Sequence, residues 1–471
     1  MNRMLKLFCF LAVAVFLSAL PLCAQYTITN WTPVGGDHDF NDPANWTPSP
    51  STTTPGDYYF IVSGATSADI DSTPVYPYNN YFFIYPDGGT INQTGGDVVV
   101  TPYQLIWHGG AYNMSGGTYW AKNMADLFSV GRDTGSGTLN VTAGNFKIDP
   151  SSAAGWGGIG MTVANPVGVG DATGTVTVSG SGVIDCQTGH VDNCPGGVIN
   201  IGNQTVSGSP GGTLSCSNMI GNNYYYVYGY AATLGGGIVN FDGGTLVCTA
   251  STAGYQFNSL AEVNLLANGG TIEVLEGVTS QADASVGATA LQGPGGLTKT
   301  GLGKLVLNTA NTYAGDTVVQ QGTLGGTGSY VGDIVAAAGG TIEPGNSIGT
   351  MMTHGNLTLQ GTLLTEYGGE EGGDPATDLM AVDGDLDLTG GTLDFAQYGT
   401  LSLTEPEYVF LTYGGERSGE AAVVTEHLPA GYHVQYNDVG KNVALVIPEP
   451  STLVLLALGL LGAAAYARRR R

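Results

Sequence analysis

The chain has six histidines, at His38, His108, His190, His354, His427 and His433, and none lies in a compact metal-ligand spacing such as HExxH. His427 and His433 flank "LPAGY", which reads as a turn with both rings in solvent. In "DHD" at 37–39 adjacent side chains of an extended segment point opposite ways, which favours a loop interaction over chelation. The runs "EYGGEEGGDPATD" (366–378) and "DGDLDL" (383–388) offer the oxygen ligands that calcium prefers. Neither follows the EF-hand loop or the GGxGxD nonapeptide. A solvated acidic loop is the default there, with loose calcium binding at Glu370, Glu371 and Asp374 as its alternative. Glycoside hydrolysis needs two placed carboxylates, a condition that 38 acidic residues meet trivially. A lyase needs a cationic base as well, and the repeating segments hold almost no Lys or Arg. A Ser-His-Asp triad has no signature. Catalysis is not expected, and no cofactor is implied.

Two other groups have chemistry to offer. In "NNYYYVYGY" (222–230), Tyr224, Tyr226 and Tyr228 would either stack on sugar rings or pack as a hydrophobic patch along the body. Apart from Cys9 and Cys23, the cysteines are Cys186, Cys194, Cys216 and Cys248. Cys186, Cys216 and Cys248 each close a six-residue segment of the type "GGTLSC". Stacked strands lie about 4.8 Å apart, so in-register copies would put these three in one inward column. That separation is within the Cα range of a disulfide. The competing reading is a stack of small buried side chains, with Val100, Ile148 and Val274 at the same place in other copies.

The segment that positions them repeats along the body: "GGDVVV" (95–100), "GGTYWA" (116–121), "AGNFKI" (143–148), "SGVIDC" (181–186), "GGTLSC" (211–216), "GGTLVC" (243–248), "GGTIEV" (269–274), "GGTIEP" (339–344) and "GGTLDF" (390–395). Short alternating runs such as "TLNVT" and "TVTVS" precede most copies. Alternation is the period of a half-buried strand, and Gly-Gly supplies the turn. Early copies are spaced by 21, 27, 38, 30, 32 and 26 residues. A minimum near one rung with variable insertions is the pattern of a stacked coil. The predicted fold is all-β, a right-handed parallel β-helix (solenoid). Its threonines are too irregular for the flat Thr-x-Thr face of an ice-binding protein. The seven Asn-x-Ser/Thr sites, at Asn30, Asn45, Asn92, Asn113, Asn140, Asn203 and Asn356, read as incidental.

Composition narrows the function classes. Glycine, at 76 residues, is about twice its usual share. Of 13 cations, six lie in the termini, and seven remain in the body: Lys122, Arg132, Lys147, Lys299, Lys304, Arg417 and Lys441. They face nearly all of the 38 acidic residues, so the body repels nucleic acid and anionic headgroups.

The termini carry addresses. "MNRMLKLFCFLAVAVFLSALPLCAQ" has a short basic start, an apolar run and a small-residue exit, as a secretory signal peptide does. "IPEPST", the apolar stretch 453–467 and Arg468, Arg469, Arg470 and Arg471 resemble the PEP-CTERM sorting signal of Gram-negative-type bacteria. That resemblance implies recognition of Pro448, Glu449 and Pro450 by an exosortase-type enzyme after transient inner-membrane anchoring. Fifteen helical residues rise about 22 Å, short of a hydrocarbon core of about 30 Å. The arginines would hold the end on the cytoplasmic side, and the prolines keep the preceding backbone out of a helix.

"GPGGLTKTGLGKLVLNTANTYAGDTVVQQGTL" (293–324) resembles the autotransporter-associated β-strand repeat of exported passenger domains. The stretches 339–363 and 378–395 resemble the segments usually found C-terminal to such repeats. About 50 residues then separate Phe395 from the tail, too few for a membrane β-barrel translocator. "FNDPANWTPSPSTTTPGDYYFIV" (40–62) is similar to the opening of exported bacterial β-solenoids, with Trp46 placed to cover the apolar end.

The expected organisation is a signal helix at 1–24, a cap with the first strands at 25–90 and Gly-Gly repeats at 91–290. The repeat-bearing β-helix at 291–446 and a hydrophobic sorting helix at 447–471 complete it. The expected function is a non-enzymatic structural or adhesion protein of the cell surface or extracellular matrix, with exopolysaccharide or other surface glycans as partners. The alternative is a carbohydrate-active β-helix enzyme, either a polysaccharide lyase or a glycoside hydrolase.

Overall fold

The computed structural model describes residues 26–32, 38–51, 56–64, 66–75, 78–100, 104–122, 128–132, 135–150, 159–165, 172–202, 211–221, 236–253 and 255–448. Among these there is no α-helix, only three short 3₁₀ turns, and no helix is long and apolar enough to cross a membrane. The expected signal helix lies outside the described residues, as does the sorting segment beyond Pro448. The chain is all-β, with most strands parallel in one large array, an arrangement consistent with a solenoid.

Alternation makes the strands. In Thr213–Cys216 and Thr245–Cys248 the leucine and cysteine are buried, while the residues between them are half-exposed. The turn before the second of these needs both glycines. Gly243 has φ of 84°, and a Cβ on Gly244 would lie 2.6 Å from the backbone nitrogen of Gly202.

Each segment pairs in parallel with its equivalent one rung later. On a first face 138–141 pairs with 175–178, and then 198–201, 238–241 and 262–265 continue in register. On a second face 145–147 is succeeded by 183–185, 213–215, 245–247, 271–273 and 298–300. A third set of strands, from Gln104–Ile106 to Met219–Ile220, forms a five-stranded sheet. The inward positions stack into apolar columns such as Leu139, Val176, Ile199, Val239 and Val263, all fully buried.

Cys216 pairs with Cys248, and Cys248 with Val274, on the second face. Cys186 comes directly after Asp185, the register partner of Ser215, and is buried like Cys216 and Cys248. All four body thiols, Cys194 included, are free and buried. Burial pushes the Cys248 thiol up to about 11 and raises Cys186, Cys194 and Cys216 as well.

The Gly-Gly segments do not all lie on one face, as a single repeat series would require. "GGTIEP" and "GGTLDF" pair with Lys304–Asn308 and its successors, while 317–319 and 334–336 continue the second face. In those rungs two segments merge into one strand, Thr317–Gly326 or Ile334–Pro344. There the Gly-Gly turn follows the second face instead of preceding it. Another departure is Lys299, which succeeds Ile272 in an inward column and is fully buried. Its Nζ donates to the carbonyls of Thr300, Gly301 and Gln321 at 2.6, 2.8 and 3.1 Å. Burial lowers its pKa to about 8.

Both ends abandon parallel pairing. Trp46–Thr47 runs antiparallel to Tyr26–Trp31, and the buried Trp46 ring packs 4.7–5.0 Å from Trp31, Phe40 and Phe60. Its Nε1 donates to the Phe40 carbonyl at 2.9 Å. At the other end Asn442–Val446 lies antiparallel to Glu407–Tyr413 and to His433–Asn437. Such strands cover edges that would otherwise invite another chain.

The thiol column is directly measurable. A thiol reagent such as DTNB should find none of Cys186, Cys194, Cys216 and Cys248 in the native protein and all four in guanidinium. Fewer than four after denaturation would mean a disulfide.

Candidate functional site

Several residues singled out by sequence are not brought together. Tyr224, Tyr226, Tyr228, Glu449, Pro450 and Arg468, Arg469, Arg470 and Arg471 lie outside the described residues, and Pro448 is exposed. Glu370, Glu371 and Asp374 are exposed on the loop between Thr362–Gly369 and Ala376–Thr377, which pair as a hairpin. Among the described residues no three His, Cys, Asp or Glu side chains gather as a metal ion would require.

The histidines pair with carboxylates of neighbouring rungs. His108 Nδ1 meets Asp87 at 2.5 Å, His354 meets Asp383 at 2.7 Å and His427 meets Asp394 at 2.7 Å, all largely exposed. His433 stands in its own strand, apart from His427.

One pattern escaped the sequence reading: "GNSIG" at 345–349 has the letters of a GxSxG nucleophile motif. Here it joins strand Ile334–Pro344 to strand Thr350–Thr353, whereas a nucleophile elbow joins a strand to a helix. The next His-Asp pair along the chain, at His354, lies beyond that strand. The His354 imidazole is bonded through Nδ1 to Asp383.

The outer surface of the first face is a ladder of amides. Asn92 donates to Asp69 at 2.9 Å, Asn113 to Asn92 at 3.0 Å and Asn140 to Asn113 at 2.9 Å. Further along, Asn200 donates to Thr177 at 3.3 Å and Asn240 to Asn200 at 3.0 Å. Asn264 then donates to Asn240 at 3.0 Å and Gln292 to Asn264 at 2.9 Å. Sequence alone read Asn92, Asn113 and Asn140 as isolated sites. The rung register turns them into one rail. On the second face Thr213, Thr245, Thr271 and Thr298 line up as well, a regularity that variable insertions hide in the sequence.

Two acids with raised pKa values, Glu366 and Asp378, lie beside Glu343 and Lys304. Asp378 is fully buried, and its two oxygens accept from the backbone N–H of Gly349 at 2.9 Å and of Glu366 at 2.8 Å. Burial pushes its pKa up to about 7, against the pull of those N–H groups and with a push from the Glu366 and Glu343 charges. Glu366 is raised for the same first reason. Glu343 is held by Lys304 at 2.6 Å. Asp378 accepts at both oxygens, and Glu343 is taken by Lys304. Asp378 thus ties the loop 345–349 to the strand Thr362–Gly369. A depression of about 320 Å³ lies elsewhere, lined by Gly243, Asn268, Gly269, Thr271, Thr298 and Asp316, with one carboxylate and no cation or histidine.

Because the folded pKa of Asp378 exceeds its ordinary 3.8, the folded chain holds a proton that the unfolded chain has lost between about pH 4 and 7. The stability this group contributes is present at pH 4 and gone above pH 7. In urea unfolding, wild type should lose a few kcal/mol more than Asp378→Asn between pH 4 and 8, at about 1.4 kcal/mol for each pH unit that separates the folded and unfolded values. Equal losses would remove this role for Asp378.

With the fold and these surfaces in place, similarities to known proteins can be assigned to parts of the molecule. Residues 297–325 match the passenger-associated-transport-repeat, the stretch that holds Lys299 and merges two faces. Residues 446–471 match the PEP-CTERM protein-sorting motif, which implies recognition by an exosortase-type processing enzyme. Two extracellular serine proteases of Serratia marcescens are similar over short stretches. One is 44% identical over 78 residues, covering 13% of this chain and 8% of the protease. The other is 42% identical over 59 residues, covering 12% and 6%. The chain thus spans less than a tenth of the length of these relatives. It carries a passenger-associated transport repeat and a PEP-CTERM sorting motif, and is an exported protein of the cell surface or extracellular space.

Proposed function

We propose that the chain is a non-enzymatic structural or adhesive protein, a right-handed parallel β-helix delivered by its sorting motif to the cell surface or extracellular matrix. Exosortase processing of the tail and contact with exopolysaccharide or other surface glycans are parts of this reading. The observation that carries it is the continuous rung-on-rung ladder ending in a sorting motif. Its outer positions are mostly spent on neighbours, as in the amide rail and the His-Asp pairs. A surface of that kind stiffens a coil and repeats one chemistry along it.

A carbohydrate-active enzyme would need a reachable acid and base in one cleft. The acids around Asp378 are the nearest approach to that, with Asp378 engaged by backbone N–H groups and Glu343 by Lys304. The protease similarity concerns so small a part of those proteins that it supports no transfer of activity.

Cells expressing the full chain and a version lacking residues 447–471 should differ in where the protein collects. The full chain is expected at the surface or in the matrix with a C-terminus that ends before Arg471 by intact mass. A surface form retaining Arg471 would overturn processing, and unchanged surface delivery of the truncated chain would overturn the sorting role.

A further inference from the structure

Of the body's cations, Lys304, Arg417 and Lys441 are ion-paired with Glu343, Asp438 and Glu416. Lys122 and Lys147 behave differently. The Nζ of each lies 4.8 Å from the centre of the same indole, Trp120, and neither has an ion pair among the described residues. In a chain with 38 carboxylates, two lysines on one aromatic ring and on no acid need a physical reason.

The rung register supplies it. Trp120 pairs with Lys147, and Lys147 with Asp185, on the outer positions of the second face. At the adjoining corner the Asp149 N–H donates to the Ala121 carbonyl, which brings Lys122, Asp149 and Gln187 to successive rungs. Among the described residues, the two acids at neighbouring positions each have one oxygen engaged. Asp149 Oδ1 accepts from Trp120 Nε1 at 2.9 Å and from Gln187 Nε2 at 2.6 Å. Asp185 accepts from the Gln187 N–H at 2.8 Å. The indole is thereby fixed by its own N–H, and the ammonium groups rest on its π-system. All three of Trp120, Lys122 and Lys147 remain half-exposed.

We propose that Trp120, Lys122 and Lys147 form a docking point for a carboxylated polysaccharide, one sugar carboxylate bridging the two ammonium groups while the C–H face of a sugar ring lies against the exposed part of the indole. Two cations without acid partners fit an anion, and an aromatic ring fits a pyranose better than it fits a bare phosphate. Carboxylates farther than about 8 Å are largely screened at physiological salt, so the local balance is set by the two ammonium groups against Asp149 and Asp185. This deepens the matrix reading above by naming the class of glycan and the residues that hold it.

The purified chain is tested by affinity electrophoresis through polygalacturonate, with EDTA present so that no divalent ion bridges acid to acid. Wild type should be retarded, whereas Lys122→Gln/Lys147→Gln and, separately, Trp120→Ala should each lose at least about tenfold in apparent affinity. Circular dichroism and thermal melts confirm that the variants are folded. Carboxyl-reduced polygalacturonate should not retard wild type. The proposal is overturned if wild type is not retarded, if the double lysine variant is retarded equally, or if polyphosphate binds as well as the polyuronate. The last outcome would mean plain charge attraction. Because the assay uses purified protein, its failure leaves delivery and processing of the tail to be judged by the fractionation experiment.

Discussion

The parallel hydrogen-bond ladder between rungs about 4.8 Å apart constrains every other feature of this chain. A rung cannot bury its apolar residues alone, so its neighbours must present the same kind of residue at the same position. Leu139, Val176, Ile199, Val239 and Val263 satisfy this inside, and Asn200, Asn240 and Asn264 satisfy it outside. A change at one position is felt by two rungs, which is why insertions gather at corners and the ladders run on past them.

The same constraint decides where the scarce cations go. Inside a coil a lysine must find acceptors without leaving its column, and Lys299 does so by reaching three carbonyls at a corner. The cost appears as its lowered pKa, because burial disfavours the charged form. Asp378 is its acidic counterpart, held by two backbone N–H groups and still pushed up by burial. At the C-terminal end Arg417 makes a bidentate pair with Asp438, with bonds of 2.7 and 3.0 Å, while its guanidinium lies over the Tyr436 ring. Lys147 lies on the outer second face and Lys122 at the adjoining corner, each against the Trp120 ring.

On the described surface many polar groups are used between rungs. Three histidines are tied to aspartates, the amides are tied to one another, and the buried acid is tied to backbone. The lysine pair on Trp120 departs from that rule.

Much of this was legible in the chain itself. Alternating residues and Gly-Gly turns imply short parallel strands, and the spacing of Cys186, Cys216 and Cys248 implies their column, because strand period and rung register are local properties. The repeat at 293–324 and the Pro-Glu-Pro tail were legible as motifs for the same reason. The candidate docking point was legible only in part. The segments "GGTYWA" and "AGNFKI" set Trp120 and Lys147 at one repeat position, whereas the approach of Lys122, Asp149 and Gln187 beyond the ends of those segments was not legible. The sequence also left open that "GGTIEP" and "GGTLDF" turn onto another face, since that depends on which rung positions they pair with. Local pattern determined what each rung is made of. Only the stacking of the rungs decided which side chains became neighbours, because the hydrogen bonds that fix the register are made between residues far apart in sequence.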